Sequence, residues 1–210
     1  MYTTPWRTAN IPSPLPEDAQ FMHGFTLHGP SSSDLWEAPG SDPTFTAPMI
    51  YQAMPVQAFR RVRVTVTAEL AHLYAQGGVA LIIHRADGSR AWLKTGVEFV
   101  DGRQVLCTVG KDRNVDCSYA STVEHGEEVT IEVERGGCGV VVYKVDLDAG
   151  TEGGKENRTV VRDLAWVVSG DQMEECWIGV YVAKPLGDAG DPDVVVKFRE
   201  LVIERRDIES

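Results

Sequence analysis

Apolar side chains recur at every second position along much of this chain, and turn-forming residue pairs cut the pattern at intervals of roughly 8 to 15 residues. Period two is the repeat of an extended strand, whose side chains leave alternate faces, so a helical core is excluded. Over 59–70, Val62, Val64 and Val66 alternate with Arg61, Arg63, Thr65 and Thr67, which predicts a half-buried strand. Over 128–135, Val129, Ile131 and Val133 alternate with Thr130, Glu132 and Glu134, as a solvated outer face would. The segment from Gly77 to Arg85 carries an unbroken apolar run instead, which suits a central strand covered on both sides. Further strands are expected over 90–100, 104–109, 138–145, 160–168, 175–184 and 194–204. Asp87-Gly88 and Asp101-Gly102 supply the positive φ angles of tight hairpins, and Gly136-Gly137 joins another pair. Residues 146–158 and 185–192 read as loops. About nine or ten strands without a convincing helix imply an all-β sandwich or barrel.

A chain of 210 residues fits one such unit, and its 43% hydrophobic content supports a core that needs neither disulfides nor metal. Residues 1–48, rich in Pro, Ser and Gly, are expected to wrap the sandwich without forming its core, which is assigned to 49–206. The formal net charge of −11 argues against nucleic acid and anionic membrane partners, because contact with either requires clustered Lys and Arg. Gly77 to Ile83, the longest apolar stretch, is too short to span a bilayer. Met1 to Gln20 has no apolar signal region and carries Pro5, Pro12, Pro14 and Pro16, so a cytoplasmic protein is expected. Cys107, Cys117, Cys138 and Cys176 form no C-x-x-C pair and are expected to be reduced.

The most informative segment runs from Tyr74 to Ser118. Within it, strand periodicity sends Leu93, Thr95, Val97 and Phe99 to one face, mostly apolar and directed at the core. Trp92, Lys94, Gly96 and Glu98 go to the other. An indole, an ammonium, a bare backbone and a carboxylate on one face make a suitable floor for a ligand. The same spacing also allows Lys94 and Glu98 to form a solvent-exposed ion pair, with Trp92 packed under a loop.

Three blocks carry a resemblance: Tyr74 to Val79, Trp92-Leu93-Lys94-Thr95-Gly96-Val97-Glu98 continuing to Gly102, and Asp116-Cys117-Ser118. They resemble the regulation-of-enolase-protein family, a group of concanavalin A-like domains whose general function is unassigned. Asp34 to Pro39, Ala47 to Tyr51, Gly179 to Pro185 and Phe198 extend the likeness over roughly residues 34–204. The resemblance implies a concanavalin A-like jelly roll of two curved antiparallel sheets, and fixes no activity. Two positions depart from that family: Ala75 stands where it usually has Asp, and Cys117 where it usually has Trp.

Catalytic signatures are sparse. Glycosidases of related fold need two facing carboxylates, and Glu98 is alone on its strand face. Asp146-Leu147-Asp148-Ala149-Gly150 suggests a calcium loop, but Asn157 occupies the position that requires Glu. The five histidines lack metal-ligand spacing, and no Gly-rich loop opens a helix, so no cofactor or metal is expected. Cys117, beside Asp116, is either a reactive thiol or a partly buried structural one.

Two functions are compatible with this pattern. One is a small-molecule or partner-binding module, with scope for a regulatory role in metabolism, using a concave sheet face around Trp92, Lys94 and Glu98. The other is a cofactor-independent enzyme of secondary metabolism. It would catalyse a cyclisation, Diels-Alder type cycloaddition or isomerisation of a hydrophobic substrate by proximity alone. Trp36, Tyr74 and Trp92 would then form walls, and Lys94 or Gln76 would polarise a carbonyl. A third reading is a purely structural interaction protein. Oligomeric state is not encoded legibly.

Overall fold

In the computed structural model, strand pairing is antiparallel throughout and builds two large sheets and one short hairpin. The structure describes residues 4–11, 14–137, 139–147, 156–168 and 173–207. Cys138 and the middle of the expected loop, at 148–155, lie outside the described residues. In chain order the first elements are β1 (Trp6–Ala9), α1 (Asp18–His23), β2 (Phe25–Gly29), β3 (Leu35–Trp36), β4 (Thr44–Phe45), β5 (Met49–Pro55) and β6 (Phe59–Ala68). Then follow β7 (Gln76–Arg85), β8 (Arg90–Val100), β9 (Arg103–Lys111), β10 (Val115–Val123) and β11 (Glu128–Arg135). The last four are β12 (Val140–Leu147), β13 (Glu156–Leu164), β14 (Met173–Ala183) and β15 (Val194–Arg205).

One sheet has seven strands in the order β1-β5-β14-β7-β8-β9-β10, and the other six in the order β13-β12-β11-β6-β15-β2. The alternating valines explain why they stack. Val62, Val64 and Val66 of β6 lie opposite Val133, Ile131 and Val129 of β11, and all six are fully buried. Leu81, Leu93, Val97 and Ile178 join them in one core from the seven-stranded sheet. Each such side chain contributes about 1.5–3 kcal/mol by leaving water. The central strands β7 and β8 are buried on both faces, as the unbroken apolar run of β7 predicts.

Hairpin chemistry sets the registers. Asp101 and Gly102 both adopt positive φ, at 51° and 76°, and pair Val100 with Arg103 across the β8–β9 turn. That turn in turn places Gly96 opposite Cys107 and Lys94 opposite Val109.

Four expectations need correction. The segment before residue 49 does not stay outside the core: β1 and β2 extend the two sheets, and Phe21, Phe25 and Leu27 are buried in the main cluster. A short helix is present, α1, whose Phe21 ring stacks on Trp6 at 4.1 Å. The stretch 146–158 is less loop than expected, since β12 and β13 pair as far as Leu147 opposite Glu156. Finally, Glu132 is not solvated but only 1% exposed, ion-paired to Arg61 at 3.1 Å and Arg158 at 2.5 Å.

Candidate functional site

The seven-stranded sheet has a second apolar surface on the side away from the main core. Leu35, Ala47, Met49, Tyr51, Ala80, Ile82, Trp92, Cys107, Val109, Tyr181 and Ala183 cluster there. The cover comes from the β3–β4 hairpin and its flanks. Ser33 Oγ accepts the Lys184 amide proton at 3.0 Å and donates to the Pro30 carbonyl at 2.6 Å. Thr46 Oγ1 accepts the Asp34 amide proton at 3.0 Å, and the Asp34 carbonyl accepts from the amides of Thr46 and Ala47. These bonds pin Asp34 and Trp36 over the sheet.

Between this strap and the end of the sheet lies a cavity of about 370 Å³. Asp34, Trp36, Tyr74, Gln76, Lys94, Glu98, Val109, Cys117, Tyr119 and Pro185 line it. Strand registers bring these residues together from across the sequence. Gln76 is opposite Glu98, Lys94 opposite Val109, Val109 opposite Cys117, and Cys107 opposite Tyr119. Directly opposed residues leave a sheet on the same face.

Of the six residues singled out from the sequence, Trp36, Tyr74, Gln76, Lys94 and Glu98 line the cavity. Trp92 does not. It shares their sheet face but is 3% exposed and packs beneath the strap, with its ring 5.7 Å from Lys94 Nζ. Gly96 is also not an opening for a ligand: a Cβ there would lie 2.1 Å from the Gly77 carbonyl oxygen, so its smallness admits the neighbouring strand. The exposed Lys94–Glu98 ion pair is absent. Lys94 is 2% and Glu98 6% exposed, and Lys94 bonds Asp34 Oδ1 at 3.2 Å. The Trp36 ring, 5.5 Å from the same ammonium, adds a cation–π contact.

The polar groups are held in fixed positions. Tyr181 Oη donates to Gln76 Oε1 at 2.9 Å, and Gln76 Nε2 donates to the Tyr74 carbonyl at 3.0 Å. Tyr74 itself has φ of 62°, a left-handed conformation that costs a bulky residue about 1–2 kcal/mol. Its amide donates to the Phe99 carbonyl at 2.8 Å, which holds the turn in place and presents the ring to the cavity.

Electrostatics differ sharply between neighbours. Burial pushes the Glu98 carboxyl above its usual range, against the opposing pull of the Cys107 thiol and Lys94. Cys107 and Cys117 face one another at 3.5 Å between sulfurs. The Cys107 hydrogen bond, helped by the Tyr119 hydroxyl, lowers the Cys117 thiol to about 7 although burial opposes it. The Cys107 thiol is held far up by its bond to Cys117 and by burial.

Sequence reasoning missed Asp34, Cys107, Tyr119 and Tyr181 as members of this constellation. The alternation of Val115, Cys117 and Tyr119 is the one signal that could have found β10, and the polar Asp116 and Ser118 between them obscured it. Of the two departures from the resembling blocks, Cys117 stands at the cavity, whereas Ala75 is buried in the main core. Among the described residues, no group of three or more His, Cys, Asp or Glu is gathered as a metal-ligand set. No helix among them is long and apolar enough to cross a membrane.

Known proteins share this architecture. An uncharacterized protein of Emericella nidulans, AN7484, is 34% identical over 201 residues, 95% of this chain and 96% of that protein. The crystal structure of a functionally unknown protein from Saccharomyces cerevisiae superimposes with a TM-score of 0.72 at 19% identity, over 96% of both chains. The alginate lyase from Klebsiella pneumoniae gives a TM-score of 0.55 at 12% identity, covering 87% of this chain and 81% of the lyase. The fold is thus a jelly-roll β-sandwich of the concanavalin A-like kind. The narrower regulation-of-enolase assignment is not what the matches support; the family model that fits, over residues 15–206, is the one described as protein of unknown function (DUF1349), and the chain belongs to that family.

Proposed function

We propose that the cavity beside the strap binds a small, polar, ring-containing metabolite, and that this is the protein's primary role. One observation carries the reading: three aromatic rings, Trp36, Tyr74 and Tyr119, surround a floor of buried Lys94, Glu98 and Gln76. Aromatic faces stack on the apolar face of a ring, and fixed polar groups below read its hydroxyl or carbonyl substituents. A volume of about 370 Å³ lies at the small end of ligand sites, and the strap walls off one side, so a compact ligand fits better than a polymer threaded along the sheet. Asp34 and Lys94 neutralise one another, which favours a ligand of low net charge. The fold shared with alginate lyases puts alginate-derived sugars among the first ligands to try. A regulatory role in metabolism would follow if the bound metabolite belonged to the pathway regulated.

The test is a thermal-shift screen of the full chain against monosaccharides, sugar acids and glycolytic metabolites, followed by calorimetry. A ligand at a hundred times its Kd adds about 2.7 kcal/mol of stability. Trp36→Ala should abolish that gain. Stabilisation by none of the compounds, or gain surviving in Trp36→Ala, would refute the site.

Glu98 gives a second reading its support. A buried carboxyl with a raised pKa, near a lysine in a cavity, is suited to proton transfer in a cofactor-independent cyclisation or isomerisation. Conversion of a bound ligand, lost in Glu98→Gln while binding persists, would establish it; a ligand recovered unchanged supports binding alone.

A further inference from the structure

We propose that Cys107 and Cys117 form a reactive dithiol site in the cavity wall, where Cys117 is modified by low-molecular-weight disulfides and Cys107 resolves the adduct. This stands whether or not the cavity binds a metabolite.

Geometry carries the assignment. Cys107 lies on β9 and Cys117 on β10; Cys107 is opposite Tyr119 and Cys117 opposite Val109, so both thiols leave one face of adjacent strands. Their sulfurs are 3.5 Å apart. A disulfide needs about 2.05 Å, so the pair must close by about 1.5 Å. The strand that has to move is the edge one: β10 is the last strand of its sheet and pairs with β9 alone, with a register irregularity between Tyr119 and Thr122, although Asp116 also reaches Arg162 of β13 at 2.5 Å. Access is asymmetric. Cys117 is exposed and lines the cavity, while Cys107 is buried behind it. The first reagent to arrive therefore meets Cys117.

Chemistry agrees with the order. With its thiol lowered to about 7, Cys117 is the more readily ionised of the two, and its sulfur is the nucleophile. Attack on a small disulfide RSSR forms the Cys117–SR bond and releases RS⁻. Cys107 is protonated and donates to the Cys117 sulfur; once Cys117 carries the adduct that acceptor is lost, and the Glu98 group beside Cys107, as carboxylate, takes the proton. Cys107 sulfur then attacks Cys117 sulfur, the Cys117–SR bond breaks, and the second RS⁻ leaves with the proton from Glu98. Two protein thiols are oxidised to one disulfide as RSSR is reduced to two RSH, so atoms and electrons balance. Cys176, by contrast, is buried and pushed up to about 12, and has no part in the site.

The experiment treats the reduced full-length chain at pH 7 with oxidised glutathione, with peptide mapping by mass spectrometry and circular dichroism to confirm that it stays folded. The expected product is a Cys107–Cys117 cross-link, formed at least tenfold faster than any adduct at Cys176. Cys107→Ser, or Cys107→Ala if the serine variant misfolds, should stop at a lasting mixed disulfide on Cys117. Cys117→Ser should give no adduct at either position. A wild-type chain that accumulates the Cys117 adduct without the cross-link would overturn the resolving role of Cys107. Modification of Cys117 no faster than that of Cys176 would overturn the site.

Discussion

Removing the charge of Asp34 while keeping its shape should destabilise this protein more than removing Lys94. Lys94 Nζ lies 3.2 Å from Asp34 Oδ1, and the lysine side chain is 3% exposed against 17% for the aspartate. At an effective dielectric of about 20, opposite unit charges this close attract by about 5 kcal/mol. Asp34→Asn forfeits that attraction and leaves an ammonium under the strap. The loss is partly offset, because the Trp36 and Trp92 rings remain near the ammonium and contribute about 0.5–1 kcal/mol each. Some water also enters from the cavity. A net cost of about 2–3 kcal/mol remains, equivalent to roughly 5–10 °C in Tm for a chain of this size. The asparagine oxygen still accepts the Leu35 amide proton that Asp34 accepts at 2.8 Å, so the local turn is preserved.

Lys94→Met removes the other partner, and here Asp34 keeps both that amide and access to solvent, so the cost should be about 1 kcal/mol or less. The double variant should recover to within about 1 kcal/mol of wild type, since an apolar replacement of a buried pair is often neutral. Urea denaturation of the four proteins closes the cycle. An Asp34→Asn cost below about 0.5 kcal/mol, or a double variant less stable than Asp34→Asn alone, would refute the claim that an unpaired buried charge causes most of the loss.

Three other outcomes follow from the geometry. Gly96→Ala should cost about 3 kcal/mol or more, because its Cβ would meet the Gly77 carbonyl oxygen at 2.1 Å and neither backbone can yield; denaturant unfolding reads this directly. Glu98→Gln should gain stability relative to wild type as pH rises. A carboxyl whose folded pKa is raised contributes stability below its unfolded pKa and loses it as pH climbs through the folded one, so the difference in Tm between the two proteins should move toward the variant from pH 4 to pH 7. A flat difference would mean that Glu98 titrates alike in both states. Glu132→Gln should cost about 2 kcal/mol, since Arg61 and Arg158 lose the buried carboxylate between them yet can reach water, and chemical denaturation at low and high salt should show a cost only modestly screened.

Strands with a sustained apolar pattern, alternating or unbroken, were legible without coordinates. The alternation through Val62, Val64 and Val66, the unbroken run after Gly77, and the Asp101-Gly102 turn correctly indicated β6, β7 and the β8–β9 hairpin. Period two also correctly put Lys94 and Glu98 on one face. It carries no information about what covers that face, so exposed ion pairing and burial were equally compatible. The cover depends on Asp34, 60 residues away from Lys94 in the chain, and on bonds such as that from Lys184 to Ser33. Edge strands fared worst. β1, β2 and β10 are short or polar, and edge positions tolerate residues that a central strand would reject, so their sequences read as loop.

The energetics of the second face argue that it is more than a packing surface. Leu35, Met49, Ile82 and Trp92 show that the strap can be seated on apolar groups alone. Next to them, the same face buries Lys94, Glu98, Gln76 and the Tyr181 hydroxyl, each needing a partner to offset its desolvation. Methionine and leucine at these positions would fill the space with less penalty, as apolar replacements of buried polar networks do in general. Yet the polar groups are concentrated where the strap ends and a cavity opens, and the left-handed Tyr74 adds a further backbone cost at that rim. Destabilising features gathered around one opening, in a sandwich otherwise consistent from strand pattern to core, are what a binding surface requires and a purely structural one does not.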